Sequence, residues 1–231
     1  PARSMMGDLV GIDIGIEASS QLAILPKPRL SGPGPHDHKY SRGLVAVVAG
    51  AMPGAAQLAA LAAQKSGAGY VKIFARSGFP APHPSIVVET VADVDELKQK
   101  LADDRISSLV VGPGLGRDDQ ANALLDAALT IKAPLLIDAD ALVVAGTRFC
   151  ELAAGRTAET VATPHAGEFA CLTSYSLADK IDDSRKLAAQ SGCHILLKGA
   201  DSVIVSPDGV ASISAQSCPW LSTAGTGDIL A

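Results

Sequence analysis

The residues with the most chemical promise stand near the end of the sequence, in Thr223-Ala224-Gly225-Thr226-Gly227-Asp228. Gly225 and Gly227 carry no Cβ, so the backbone there can come close to a ligand. Asp228, Ile229, Leu230 and Ala231 read as the first residues of a helix. The free N–H groups and positive dipole end of a helix attract an anion. A carboxylate beside such an anion site is placed where a general base is needed. The simpler reading is a Gly-rich turn with Asp228 as a helix N-cap, a position that Asp favours. The rest of the chain has to decide between them.

Five further turns carry residues of comparable interest. In SLVVGPGLG (108–116) an apolar strand runs into Gly112, Gly114 and Gly116. The spacing is not GxGxxG, but the carboxyl end of a strand is where open α/β sheets bind ligands. Asp138 and Asp140 fall at the carboxyl end of the next apolar stretch, APLLIDADAL (133–142), as functional acids or as turn and cap residues. In TVATPHAGEFACL (160–172) a strand ends at Thr163-Pro164, and His165 and Glu168 lie three apart at the start of a helix. An acid in a first helical turn is also favourable for purely structural reasons. Lys198 closes the strand HILLKG (194–199) beside Gly199, within reach of a phosphate, although a lone lysine at a strand end is commonly surface. The turn from Gly50 to Gly54 is not a Walker A loop, because Ala55 and Ala56 follow where Lys and Ser or Thr are required. Close packing of a small-residue helix and ligand contact both remain open there.

The elements that must position these turns follow from periodicity and punctuation. LVAVVAG (44–50) is a continuous apolar run of the kind found in strands covered on both faces. An Ala/Leu-rich helix follows from about Gly54 to Ser66, with Gly67 as its C′ residue. GYVKIFA (69–75) and SIVVET (85–90) read as strands, which completes a βαβ crossover. Helices are expected over 93–104, 118–132 and 177–192. SVIVSP (202–207) and GVASIS (209–214) form a hairpin closed by Pro207-Asp208-Gly209. Residues 7–14 read as a short strand, and 25–39 as a Pro/Gly-rich connector. At least eight strands and five or six helices predict an α/β fold, a mostly parallel sheet with helices on both faces and a late antiparallel hairpin. In such a sheet the five turns share one edge.

Composition limits what that edge can bind. The 231 residues are 48% hydrophobic, enough for one large domain core, and the net charge is −5 without a Lys/Arg cluster. This argues against nucleic acid or an anionic membrane as partner, and 3% aromatic content argues against a base-stacking platform. The four cysteines form no CxxC pair, the apolar runs are too short to span a bilayer, and Pro1–Met6 lack signal-peptide character. A cytoplasmic protein with free thiols is expected. His36 and His38 flank Asp37, but no third ligand is near, so they are not read as a metal site.

Taken in order, HKYSRGLVAVVAG…GAAQLAALAAQKSGAGYV, VGPGLG, PLLIDADAL, TPHAGEF, LLKGADSVIVSPDG and STAGTGDILA cover roughly residues 38–231. Together they resemble the ADP- or ATP-dependent NAD(P)H-hydrate dehydratase family of the ribokinase-like superfamily. The resemblance implies phosphorylation of the hydroxyl of hydrated NADH or NADPH by an adenine nucleotide, followed by phosphate elimination. It implies ADP more than ATP, with Mg2+ expected by analogy and its ligands unknown. Carried over by position, Ala55, Ala56, Gly114, Gly116, His165 and Asp228 would contact the hydrated dinucleotide. Lys198, Gly199, Ala200, Asp201, Ser202, Gly225, Thr226 and Gly227 would hold the adenine nucleotide, and Asp228 would be the catalytic base. The chain departs from the family pattern at Ala51, where serine is common, at Ala166, where the usual residue is proline, and at Ser202, which replaces threonine. GDLVGIDIGI resembles the tail of an epimerase domain. Residues 1–35 are therefore expected to be a junction, and 36–231 a dehydratase domain truncated after GTGD. A homo-oligomer is expected too. The alternatives are a ribokinase-like kinase of a sugar, thiazole or pyrimidine alcohol, and a nucleotide-binding module without catalysis.

Overall fold

A computed structural model describes residues 12, 14, 15, 20–214 and 218–231. The strand expected over 7–14 falls, but for Ile12 and Ile14, outside these residues. The Val-rich run after the connector forms β2 (Leu44–Val48), and the small-residue helix α1 (Pro53–Lys65) follows, started by a proline that has no N–H to leave unpaired. Next come β3 (Tyr70–Ala75), β4 (Ile86–Thr90), α2 (Val94–Leu101), β5 (Ile106–Val111) and α3 (Asp119–Leu129). Asp93 and Asp118 cap α2 and α3, each accepting a hydrogen bond from the N–H three residues on.

The remaining elements are β6 (Leu135–Ile137), α4 (Ala139–Ala145), α5 (Phe149–Ala154), β7 (Thr160–Ala162), α6 (Ala166–Leu172), α7 (Lys180–Ser191), β8 (His194–Leu197), β9 (Val203–Val205), β10 (Ala211–Ile213) and α8 (Thr226–Leu230). A short strand β1 (Leu22–Ile24) just ahead of the connector adds itself in parallel to β10. The ten-stranded sheet runs β1-β10-β9-β8-β7-β6-β5-β2-β3-β4. Its pairings are parallel except β8–β9 and β9–β10, so the late antiparallel hairpin is present and one pairing longer than expected.

Two apolar cores cover the two sides. The larger joins one sheet face to α2 through α7, and the smaller packs α1 on Val47, Val71, Ile73 and Val110. On the α1 side the alternate residues Leu136, Val161, Leu196 and Ile204 are only partly buried, so cover is fuller over β2 and β3 than over β6–β9. The parallel run puts the carboxyl ends of β2, β5, β6, β7 and β8 on one edge.

Candidate active site

At that edge the turns after β2 and β5 are in contact. Met52 N–H donates to the Gly114 carbonyl at 2.9 Å and Ala51 N–H to that of Leu115 at 3.2 Å. A Cβ on Gly114 would lie 2.3 Å from the Met52 carbonyl oxygen, and one on Gly112 would lie 1.8 Å from that of Asp138. These glycines let backbone pack on backbone. Gly114 is buried in that contact, Ala55 is partly buried beside it, and Ala56 is wholly buried in the core. Gly116, by contrast, sits at the rim, and its N–H donates to Asp140 Oδ2 at 3.1 Å.

Asp138 and Asp140 do not end a strand, as the sequence suggested. The strand β6 stops at Ile137, and α4 starts at Ala139, whose φ of +49° is unusual for a side-chain-bearing residue. Asp138 is at the cap position but makes no capping bond. Its Oδ1 instead accepts from Thr163 Oγ1 and from Lys198 Nζ, both at 2.7 Å. Asp138 and Thr163 are 1% and 2% exposed, so this is a buried, hydrogen-bonded ion pair. Asp140 lies in the first turn of α4, its Oδ1 accepting from Arg117 Nε at 2.7 Å.

The ends of β7 and β8 are tied together. Lys198 N–H donates to the Pro164 carbonyl at 2.8 Å, and His165 and Lys198 form a parallel bridge beyond the strands. His165 caps α6 through Nδ1, which accepts from the N–H groups of Gly167 and Glu168, while Glu168 Oε2 accepts from His165 N–H. This capping box leaves the proton on His165 Nε2, which lies 3.2 Å from Glu168 Oε1. Glu168 Oε2 is also 3.5 Å from Lys198 Nζ. The Lys198 ammonium therefore faces two buried carboxylates.

Asp228 comes to this cluster on α8. Gly225, with φ +87°, occupies the N-cap position, and Asp228 is the third helical residue rather than the cap or the first turn's opening residue. Burial raises its pKa above the ordinary carboxylate value; the nearby charges of Asp138 and Asp140 add to this, and Lys198 opposes it. A Cβ on Gly227 would lie 3.8 Å from Lys198 Nζ, which places the lysine beside the first turn of α8. The turn 198–202 is closed on itself: Gly199 N–H donates to Ser202 Oγ at 3.3 Å, and that hydroxyl donates to the Gly199 carbonyl at 3.1 Å. Asp201 pairs with Lys180, which holds its carboxyl below the usual range, and Ala200 is exposed.

The structure thus gathers His165, Lys198, Gly227 and Asp228 around Asp138, with Gly116 joined through Asp140. Thr163, Arg117 and Lys180 were missed in the sequence. Thr163 had a faint signal in the TPHAGEF segment, while Arg117 and Lys180 had none. Among the described residues no group of three or more His, Cys, Asp or Glu side chains is placed to hold a metal. No described helix is long and apolar enough to cross a membrane.

Comparison with known proteins identifies the family and agrees with the fold. A family model described as NAD(P)H-hydrate dehydratase matches residues 45–231. The bifunctional NAD(P)H-hydrate repair enzyme Nnr of Mycobacterium tuberculosis is 38% identical over 229 residues, covering 96% of this chain and 46% of the relative. The Nnr enzyme of Salinibacter ruber is 38% identical over 215 residues, covering 85% and 40%. The chain therefore spans about half the length of the curated relatives it matches. Among solved structures, the ADP/ATP-dependent NAD(P)H-hydrate dehydratase of Bacillus subtilis co-crystallized with ATP/Mg2+ has a TM-score of 0.74 at 29% identity, covering 87% of this chain and 74% of its own. A ribokinase-like superfamily protein of Enterococcus faecalis, 23% identical with a TM-score of 0.77, shares the fold over 93% of this chain and 78% of its own. The chain belongs to the NAD(P)H-hydrate dehydratase family.

Proposed function

We propose that this protein restores NADH and NADPH from their hydrates at the cost of an adenine nucleotide, with ADP preferred over ATP. The observation that carries the reading is Asp228, half-buried in the first turn of α8, raised in pKa, and adjacent to the Lys198–Asp138 pair. A carboxylate shifted toward the working pH is a better proton acceptor. Asp228 takes the proton of the hydrate's hydroxyl as that oxygen attacks the terminal phosphorus and the nucleotide leaves one phosphate shorter. Phosphate then departs from the ester intermediate with the carbon–oxygen bonding pair, and loss of a proton from the neighbouring ring carbon restores the double bond. Lys198, beside Gly227, is placed to neutralise charge on the transferred phosphoryl group.

A divalent ion fits this site in a particular way. Mg2+ takes one or two carboxylates and leaves its other positions to phosphates and water. Asp138 commits Oδ1 to Thr163 and Lys198, while its Oδ2 accepts no hydrogen bond among the described residues. Asp138 is thus the carboxylate that would hold such an ion, which supplies charge neutralisation on the phosphates. The N-terminal resemblance to an epimerase tail, together with the bifunctional name of the relatives, supports a partner epimerase activity.

The test is to incubate the protein with hydrated NADH or NADPH and either nucleotide, and to follow the near-ultraviolet absorbance of the dihydropyridine ring. Recovery is expected with both nucleotides, faster with ADP. No recovery with either overturns the reading. A stable phosphate ester formed on a simple alcohol would replace it with a small-molecule kinase.

A further inference from the structure

We propose that Arg117 binds a phosphate group of the hydrated dinucleotide, its guanidinium held in orientation by Asp140. The inference rests on the dehydratase reading and extends it to a residue that neither the sequence motifs nor the site cluster had singled out.

The argument starts from an asymmetry within one side chain. Arg117 is 65% exposed, yet its Nε is fixed at 2.7 Å from Asp140 Oδ1, and Asp140 is only 10% exposed at its side chain. The other oxygen of Asp140 accepts from Gly116 N–H at 3.1 Å, so the carboxylate is locked by two bonds to consecutive residues. Asp118 caps α3 directly after, which fixes the backbone on the other side. Of the five N–H donors of a guanidinium, one is used by Asp140. Among the described residues no hydrogen bond is made by either terminal nitrogen.

An ordinary exposed ion pair would spend the terminal nitrogens and float with its partner. Here the buried carboxylate takes the inner nitrogen and leaves the planar fork outward, which is the edge that grips a phosphate in two places. Pre-orientation also lowers the entropy lost on binding.

Position decides which phosphate. Arg117 follows Gly116 directly and lies within electrostatic reach of Glu168 and Cys171 on α6. Asp140 in turn lies within electrostatic reach of Asp228. Arg117 therefore stands beside Gly116 and within reach of α6. The family resemblance assigns Gly116 and His165 to the dinucleotide, which offers two phosphate sources: the pyrophosphate bridge of either hydrate, and the 2′-phosphate of the NADPH form alone.

The experiment measures steady-state kinetics of Arg117→Ala and Arg117→Lys with both hydrates, and binding of ADP by calorimetry. Losing a charge-assisted contact should raise KM for the hydrate about 10- to 100-fold. The value of kcat and the affinity for ADP should change little. Arg117→Lys, which keeps the charge but loses the inner anchor, should fall between. A rise shared by both hydrates supports the proposal and assigns the pyrophosphate. A rise confined to the NADPH hydrate supports it and assigns the 2′-phosphate. Unchanged KM for both hydrates overturns it, as does an equal loss of ADP affinity or a fall in thermal midpoint that accounts for the loss of activity. If the unaltered protein turns over neither hydrate, the dehydratase reading fails and this assignment fails with it.

Discussion

Two regions of this molecule hold charged clusters of similar composition and put them to different ends. On the sheet face under α2, a cavity of about 310 Å³ is lined by Lys72, Glu89, Lys100, Asp103 and Arg105. Glu89 takes Lys72 at 2.8 Å and Lys100 at 2.6 Å, and Asp103 takes Arg105 at 2.7 Å. There three cations share two acids, and the Lys100 and Arg105 side chains are 40% and 58% exposed. At the carboxyl edge one lysine serves two carboxylates, and Asp138 is 2% exposed at its side chain. A third acid, Asp228, stands close enough to feel Asp138 and Lys198. The first cluster has cations in excess of acids and is partly screened by water, so it adds little and asks little. The second is short of positive charge in a place with little water, and a ligand bringing Mg2+ or further cations relieves that shortage.

The sharpest way to break the contrast is at Asp228. Asp228→Asn should lower kcat by about 10²- to 10⁴-fold while leaving the thermal midpoint nearly unchanged, measured by turnover of either hydrate. Next in size is the buried pair. Asp138→Ala leaves Lys198 without its closest partner and should cost about 3–5 kcal/mol in a denaturant titration. Adding Lys198→Met to that variant should recover part of the loss. A third test uses the acid limb of the kcat/KM profile, which on the proposed mechanism requires Asp228 ionised. Lys198 lowers the pKa of Asp228 and Asp140 raises it. Lys198→Met should therefore move the limb to higher pH, and Asp140→Asn to lower pH. Shifts of the same sign would remove Asp228 as the titrating base.

The surface cluster should give the smallest effects. Glu89→Gln should change the thermal midpoint by no more than about 3 °C, and less in high salt. Arg105 holds the Asp103 carboxyl down at about 2, so that pair contributes stability above the unfolded-state carboxylate pKa and loses it as the pH falls through about 2. Arg105→Ala should return Asp103 toward its ordinary value in an NMR titration.

How much of this was legible in sequence depended on whether the signal was local. The Val-rich β2, the Ala/Leu helix α1 and the hairpin at Gly209 follow from neighbours along the chain, and they were read correctly. So was the helix start at His165, where the capping box is spelled out within four residues. The start of α4 was misread because Leu135–Ile137 is a strand of three residues that passes directly into a helix. An apolar run across such a join looks like one longer strand. The helix α5 was not anticipated at all. Asp228 was assigned to a cap or helix opening, because the turn supplied by Gly225 three residues earlier does the capping itself. The partnership of Lys198 and Asp138 spans 60 positions, and nothing local announces it. The same holds for Arg117 and Asp140, where pairing depends on β5 and β6 lying side by side.

The packing of Gly112 against the Asp138 carbonyl bears on any attempt to re-engineer the protein. A methyl group at position 112 would lie 1.8 Å from the Asp138 carbonyl oxygen and would have to displace the chain there. Asp138 would then carry Lys198 and Thr163 with it. A library aimed at altered substrate choice would thus lose whole clones through a residue that handles no substrate, and keeping Gly112 constant while varying Arg117 and its neighbours separates the two kinds of failure.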